Sequence, residues 1–165
     1  MLTMVFSAQP LLAVQSFEDF LDIKGSDPNI QIQSFSVPEK VRHGDQFQIY
    51  VRVTIGESWH IYSMHIKDHE PSLPTQIRFD QNVFKAEGDW RESAPRLVMD
   101  EVLQKALKTH QGQVEFHRLH SVPSNLKPGV HHLSGILLFR ACDNKICALQ
   151  SKMPFRLQIE ILGKK

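Results

Sequence analysis

The stretch Ile136–Cys147 reads ILLFRACDNKIC and contains both cysteines of the chain, Cys142 and Cys147, with four residues between them. It begins with an apolar run typical of a buried strand. Residues 143–145 (DNK) then favour a turn, because Asp and Asn side chains hydrogen-bond their own backbone and tolerate left-handed conformations. A second strand is expected to start near Lys152. The stretch therefore predicts a hairpin whose base can bring the two thiols to the short Cα separation that a disulfide requires.

Further strands are predicted on both sides of this hairpin. Residues 46–55 place Phe47, Ile49, Val51 and Val53 on one face and polar residues on the other, which is the period-two pattern of a half-buried antiparallel strand. Residues 152–161 repeat that pattern. The other predicted strands span residues 30–37, 59–64, 76–79, 83–90, 113–120 and 130–141. Short strands separated by turn residues predict an all-β fold, an antiparallel β-sandwich.

Residues 97–108 depart from the strand pattern. Their apolar residues recur at helical spacing, and charged or amide residues take the other side. The apolar set is Val98, Met99, Val102, Leu103, Ala106 and Leu107. We predict a short amphipathic helix here, with an irregular excursion of the sandwich as the alternative.

Length and charge limit the classes of function. The chain has 165 residues, which is most simply one domain with enough length to bury a core. Lys and Arg number 19 and Asp and Glu 18, so the net charge of +1 gives no reason to expect nucleic acid or an anionic membrane as a partner. Residues 1–23 are interpreted as an export-signal remnant, or alternatively as a segment that packs on the domain. We expect the folded domain to span residues 24–165.

The spacing of the cysteines bears on the purpose of their disulfide. In the chain-entropy model, closing a loop of about six residues is worth roughly 2 kcal/mol, against nearly 5 kcal/mol for a loop of about 100. A bridge that only stabilises a sandwich would gain more by joining distant strands, so the spacing favours a redox role. A local structural disulfide and two ordinary buried thiols remain open as alternatives.

Metal binding is the competing interpretation of two cysteines in a chain with nine histidines. A tetrahedral zinc site needs four ligands, and His131 and His132 are the adjacent pair that could join the cysteines. Consecutive residues on a strand point to opposite faces, which argues against that pair. His60, His65 and His69 are spaced loosely through a loop, which does not favour a metal site either. We therefore predict no metal and no cofactor.

Three segments together resemble a known family. They are Gly56–Tyr62 (GESWHIY), residues 111–116 (QGQVEF) and Leu138–Cys147 (LFRACDNKIC), which occur in the family's order. The chain resembles, over about residues 30–161, the N-terminal periplasmic domain of the thiol:disulfide interchange protein DsbD, also called the disulfide bond corrector domain. The resemblance implies an immunoglobulin-like sandwich.

The resemblance also implies an activity, thiol:disulfide exchange by a protein-disulfide reductase. Cys142 and Cys147 match the redox pair, with Cys147 forming the mixed disulfide and Cys142 acting as its intramolecular partner. Electrons would come from a membrane-embedded donor and pass to thioredoxin-like proteins in the periplasm. The candidate flanking residues are Trp59, His60 and Tyr62, which match the family's aromatic element, and Lys145, whose charge could favour a thiolate.

The sequence departs from the family pattern in two respects. The family commonly has a proline soon after the second cysteine, whereas this chain reads Ala148-Leu149-Gln150. No membrane domain or thioredoxin-like domain follows residue 165, so we expect a stand-alone relative or one whose partner is a separate chain. We also expect a monomer. The family's cap loop would fall within residues 63–75. The alternative function is an immunoglobulin-like protein-binding module with an inert structural disulfide.

Overall fold

The structure is a computed structural model that describes residues 28–67 and 73–163, and in these ranges every regular element is a strand. None of the described residues forms a helix long and apolar enough to cross a membrane. The strands are Gln31–Val37 (β1), Lys40–Val41 (β2), Gln46–Thr54 (β3), His60–Tyr62 (β4), Gln76–Phe79 (β5), Lys85–Glu92 (β6), Arg96–Asp100 (β7), Lys105–His110 (β8), Gln113–Ser121 (β9), Gly129–Phe139 (β10), Ala141–Cys142 (β11) and Ser151–Ile161 (β12).

These strands form three four-stranded sheets. The first has the order β1-β3-β9-β6, and all its pairings are antiparallel. The second has the order β2-β12-β10-β5, in which β2 and β12 pair in parallel through Lys40–Glu160 and Val41–Ile161. The third, with the order β11-β4-β8-β7, is built from short strands and contains the first cysteine. The predicted all-β sandwich is therefore confirmed.

The core is produced by period-two alternation, as expected from the sequence. Phe47, Ile49, Val51 and Val53 of β3 are at most 1% exposed, while the residues between them are partly exposed. They pack in one cluster with apolar residues of the second sheet, including Leu133, Leu137, Leu157, Ile159 and Ile161. The first two sheets are thus held face to face by their apolar sides.

The helix predicted over residues 97–108 is wrong, because the segment forms the β7–β8 hairpin. The connection needs a left-handed residue, Gln104 at φ 54°, and the side chain of Asp100 accepts hydrogen bonds from the amides of Val102 and Leu103. The turn shifts the apolar pattern between the two strands, which gives the spacing of three and four that resembles a helix. Leu97 and Met99 lie on the exposed side.

Two sequence-based predictions fall on residues that the structure does not describe. The segment 1–23 and the start of the domain at residue 24 lie outside the described ranges. Residues 68–72, the central part of the predicted cap loop at 63–75, also lie outside the described ranges.

Gly135 lies where β10 is flanked by β5 and β12, and its replacement by alanine is expected to destabilise the sandwich. A Cβ at this position would lie 2.5 Å from the carbonyl oxygen of Arg78 and 2.7 Å from Cζ of Phe155. Such overpacking typically costs about 1–3 kcal/mol. Urea unfolding of Gly135→Ala should show this loss in the free energy of unfolding. Gly163→Ala is the matched control, because a Cβ there meets nothing within 4 Å; equal midpoints for the two variants would contradict the prediction.

Candidate functional site

The two cysteines close a tight hairpin after β10. Cys142 and Cys147 form a disulfide, with their Cα atoms 4.1 Å apart. The turn between them is held by Asp143, whose amide donates to the carbonyl of Ile146 at 3.0 Å and whose Oδ1 accepts from the amides of Lys145 and Ile146 at 2.7 and 2.8 Å. Hydrogen bonds from these two amides, that of Ile146 first, hold the pKa of Asp143 below its ordinary value. The predicted hairpin and turn are confirmed.

The two sulfur-bearing residues differ in exposure. Cys142 is 0% exposed and packs in a small apolar cluster with Tyr62, Leu73 and Leu107. Cys147 lies only partly buried at the edge of that cluster. Cys147 is therefore the more exposed residue of the pair.

Strand β4 places two polar side chains against the disulfide. Cys142 pairs with His60 across the β11–β4 ladder, and the alternation along β4 puts His60 and Tyr62 on one face and Ile61 on the other, in the main core. The hydroxyl of Tyr62 lies 2.9 Å from Sγ of Cys142 and 3.8 Å from Sγ of Cys147. It contacts both sulfurs.

The third polar residue is Asp100, at the end of β7, which is 2% exposed. Its Oδ1 accepts the amides of Val102 and Leu103 at 3.0 and 2.8 Å. Its Oδ2 accepts the hydroxyl of Tyr62, and also Nε2 of His60 at 3.1 Å. Burial raises the pKa of Asp100, but the hydrogen bonds from Tyr62, Leu103 and His60 outweigh it, so the pKa lies below its ordinary value. Asp100 is thus an ionised carboxylate inside the protein.

A second buried carboxylate lies on the opposite face of β4. Oε2 of Glu92 is 3.0 Å from Nε2 of His110 and accepts the amide of Met64 at 2.9 Å, while Oε1 accepts the hydroxyl of Ser63. Burial raises the pKa of Glu92, but the hydrogen bonds from His110, Ser63 and Met64 bring it below the ordinary value. His110 pairs with Ile61 in the ladder, so this cluster faces the core and away from the sulfurs.

The lowered pKa values of Asp100 and Glu92 predict a loss of stability in acid. Because both pKa values are lower in the folded state, the stabilisation is present above the unfolded values of about 3.9 for Asp and 4.3 for Glu, and it is lost as the pH falls through the lower folded values. Urea unfolding at pH values from 7 to about 3 should show this decline. The variants Asp100→Asn and Glu92→Gln, combined, should flatten it; an unchanged pH slope would contradict the assignment.

The structure brings together only part of the predicted site. His60 and Tyr62 lie beside Cys142, whereas Trp59 is buried in the main core and Lys145 is exposed in the turn, where its amide binds Asp143. Asp100 was missed, because it lies in the segment that the sequence assigned to a helix. Its only sequence signal is a single acidic residue at the end of an apolar run.

The adjacent pair of histidines weighed for a metal site lies elsewhere. His131 and His132 are near the start of β10, about eight residues and roughly 25 Å along the strand from the cysteine hairpin. One group of metal-ligating type does occur among residues 28–67 and 73–163, namely His60, Asp100 and Cys142, whose donor atoms lie within 4.8 Å of one another.

No known protein family and no curated protein matches the sequence. Among solved structures, the N-terminal periplasmic domain of ScsB from Proteus mirabilis matches with a TM-score of 0.50 and 16% identity, over 79% of this chain and 45% of that chain. The N-terminal domain of DsbD from Neisseria meningitidis, in the reduced form, matches with a TM-score of 0.49 and 12% identity, over 78% of this chain and 83% of that chain. The chain spans less than half the length of the ScsB structure. The likeness is one of fold, an immunoglobulin-like sandwich, as predicted.

Proposed function

We propose that the chain is a thiol:disulfide exchange domain that relays electrons through Cys142 and Cys147. The observation that carries this proposal is the unequal environment of the two cysteines: Cys142 is 0% exposed and lies beside Tyr62, whereas Cys147 is partly exposed. A bridge with one accessible sulfur is suited to attack by a thiolate along the S–S axis. The small ring closed by the bridge adds about 2 kcal/mol at most to stability, so its structural value is modest.

The reaction starts at Cys147. A thiolate of the electron donor attacks its Sγ, a donor–Cys147 disulfide forms, the Cys142–Cys147 bond breaks, and Cys142 leaves as a thiolate. The donor's second thiolate then attacks the donor's first sulfur in the mixed disulfide. This forms the donor's own disulfide and releases Cys147 as a thiolate, so two electrons have moved to this chain. In the reverse sense, the Cys147 thiolate attacks the disulfide of an acceptor and Cys142 resolves the product.

Tyr62 and Asp100 act on the leaving sulfur. While the bridge is intact, the hydroxyl of Tyr62 has the Asp100 carboxylate as its charged acceptor. When Cys142 leaves as a thiolate, the same hydroxyl lies 2.9 Å away and can donate to the new anion. Asp100 opposes this, because a buried anion disfavours a second one nearby. The pair therefore favours rapid protonation or re-oxidation of Cys142.

The test is the reduction potential of the disulfide in the folded protein, measured by equilibration with glutathione or thioredoxin buffers. We expect a value above about −300 mV with fast equilibration, as exchange proteins show. A bridge that resists reduction until the domain unfolds would overturn the proposal.

The partners and the compartment belong to the same proposal. We infer a membrane-embedded electron donor and thioredoxin-like acceptors in the periplasm, because the three quoted segments resemble a domain that works there. The ScsB domain with the same fold is likewise periplasmic. These partners would meet the chain at the cysteine hairpin.

A binding module with an inert disulfide is the second candidate. It is favoured by exposed apolar side chains around the hairpin and on the edge strand β7: Leu97, Met99, Ile146 and Leu149. Leu149 is 87% exposed, and such a surface is suited to contact with another protein. The same measurement separates the two candidates, since an inert bridge lies below about −300 mV.

A further inference from the structure

We propose that reduction of the disulfide creates a Zn²⁺ site formed by His60, Asp100, Cys142 and Cys147. The sequence predicts no metal, because His131 and His132 point to opposite faces and His60 belongs to a loosely spaced set. The fold brings His60 together with Asp100 and Cys142. Nε2 of His60, a carboxylate oxygen of Asp100 and Sγ of Cys142 all lie within 4.8 Å of one another.

Three of the four donor atoms, those of His60, Asp100 and Cys142, are close to the separation that zinc requires. Zinc bonds of about 2.0–2.3 Å in a tetrahedron place neighbouring donors about 3.3–3.8 Å apart. Nε2 of His60 and Oδ2 of Asp100 are already 3.1 Å apart. Cys147 supplies the fourth donor, because it lies across the same hairpin with its Cα 4.1 Å from that of Cys142. Two thiolates, an imidazole and a carboxylate are donors that zinc takes in four-coordinate sites.

The carboxylate is oriented for this role. The amides of Val102 and Leu103 donate to Oδ1 of Asp100, so that Oδ2 is the oxygen turned toward His60 and Tyr62. Metal ligands are commonly fixed in this way by hydrogen bonds to their other atoms. The side chains of His60 and Asp100 are 6% and 1% exposed, which limits competition from water.

In the disulfide form, the hydroxyl of Tyr62 links Asp100 to Cys142. It contacts both Oδ2 of Asp100 and Sγ of Cys142. A zinc ion would replace these hydrogen bonds, as well as the one from His60 to Asp100, and the hydroxyl would have to move aside. Tyr62 therefore competes with the ion.

The chemistry balances with one reductant. A phosphine loses two electrons and becomes a phosphine oxide, whose oxygen comes from water. The disulfide gains these two electrons and the two protons of the water, and becomes two thiols. Zn²⁺ then displaces one proton from each thiol, while His60 binds as neutral imidazole and Asp100 as carboxylate. The site requires only that the folded bridge can be reduced; it does not require any exchange partner.

The experiment uses the full chain, reduced with a phosphine and freed of reductant under anaerobic conditions. Zn²⁺ is titrated in competition with a chromophoric chelator, and Co²⁺ serves as a visible-light reporter of tetrahedral thiolate coordination. We expect one ion per reduced chain and none in the disulfide form. His60→Gln and Asp100→Asn should each weaken Zn²⁺ binding by at least about tenfold.

Two further variants make the outcome decisive. Tyr62→Phe keeps all four donors and removes the competing hydroxyl, so it should bind Zn²⁺ more tightly; unchanged or weaker binding would contradict the proposal even if Asp100→Asn does not fold. Glu92→Gln is the matched control, because it alters a buried carboxylate–histidine pair that has no sulfur beside it. Binding that is indifferent to His60→Gln and Asp100→Asn would mean that the dithiol alone captures the ion, and would overturn the proposal. A reducible dithiol that binds no Zn²⁺ would overturn the metal site and leave the exchange function intact.

Discussion

The variant Cys142→Ala is expected to accumulate mixed disulfides with a thioredoxin-like protein, whereas Cys147→Ala is expected to form only traces. The reason is access. Cys147 is partly exposed and can attack the partner's disulfide, and without Cys142 no thiol of the same chain resolves the product. In Cys147→Ala, the remaining thiol is 0% exposed and lies beside an ionised carboxylate, which disfavours its thiolate.

Non-reducing electrophoresis and mass spectrometry of each variant, mixed with an oxidised thioredoxin, would measure this difference. The double variant Cys142→Ala/Cys147→Ala provides the background. Trapping by Cys147→Ala alone would reverse the roles assigned to the two sulfurs. Trapping by neither, in a protein shown to be folded, would favour the inert-bridge interpretation.

The second large effect is expected for Asp100→Ala, with a loss of about 3–5 kcal/mol in the free energy of unfolding. The substitution removes the acceptor of four hydrogen bonds, two from backbone amides and two from Tyr62 and His60. These donors are then left buried without their partner, and such a loss is more costly than the gain from the bond itself. The β7–β8 turn also loses the side chain that holds it.

Chemical denaturation at pH 7 would measure the loss. Asp100→Asn should recover part of it, since the amide oxygen can still accept hydrogen bonds. Asp89→Ala is the control: its carboxylate is exposed, and removing it should change stability by no more than about 0.5 kcal/mol. Equal effects at the two positions would show that the Asp100 hydrogen bonds do not stabilise the fold.

The sandwich could be predicted from the sequence because its long strands alternate. In β3 and β12 every second residue is apolar, and the structure places those residues in the core. The cysteine hairpin could be predicted equally well, because the apolar run, the turn residues and the second strand follow one another within a short stretch of chain.

The site could not be predicted as fully from the sequence, because it depends on pairing between distant strands. Asp100 reaches Tyr62 and His60 only because β7, β8, β4 and β11 are neighbours in one sheet. These strands have only two to six residues, which gives too few alternations for a strand to be recognised from the sequence. The tight turn between β7 and β8 also produces apolar spacing like that of a helix. Trp59 shows the converse: it belongs to the segment that carries the resemblance, yet it is one position out of phase with the sulfurs and serves the core.

The parallel pairing of β2 with the end of β12 has a consequence for the order in which the molecule folds. Residues Lys40 and Val41 pair with Glu160 and Ile161, so the second sheet cannot be completed until the chain has been synthesised through residue 161. Closing so long a segment is slow compared with closing a six-residue ring, because the entropy of loop closure increases with length. The cysteines can therefore meet in a nascent chain before β2 has paired with the end of β12.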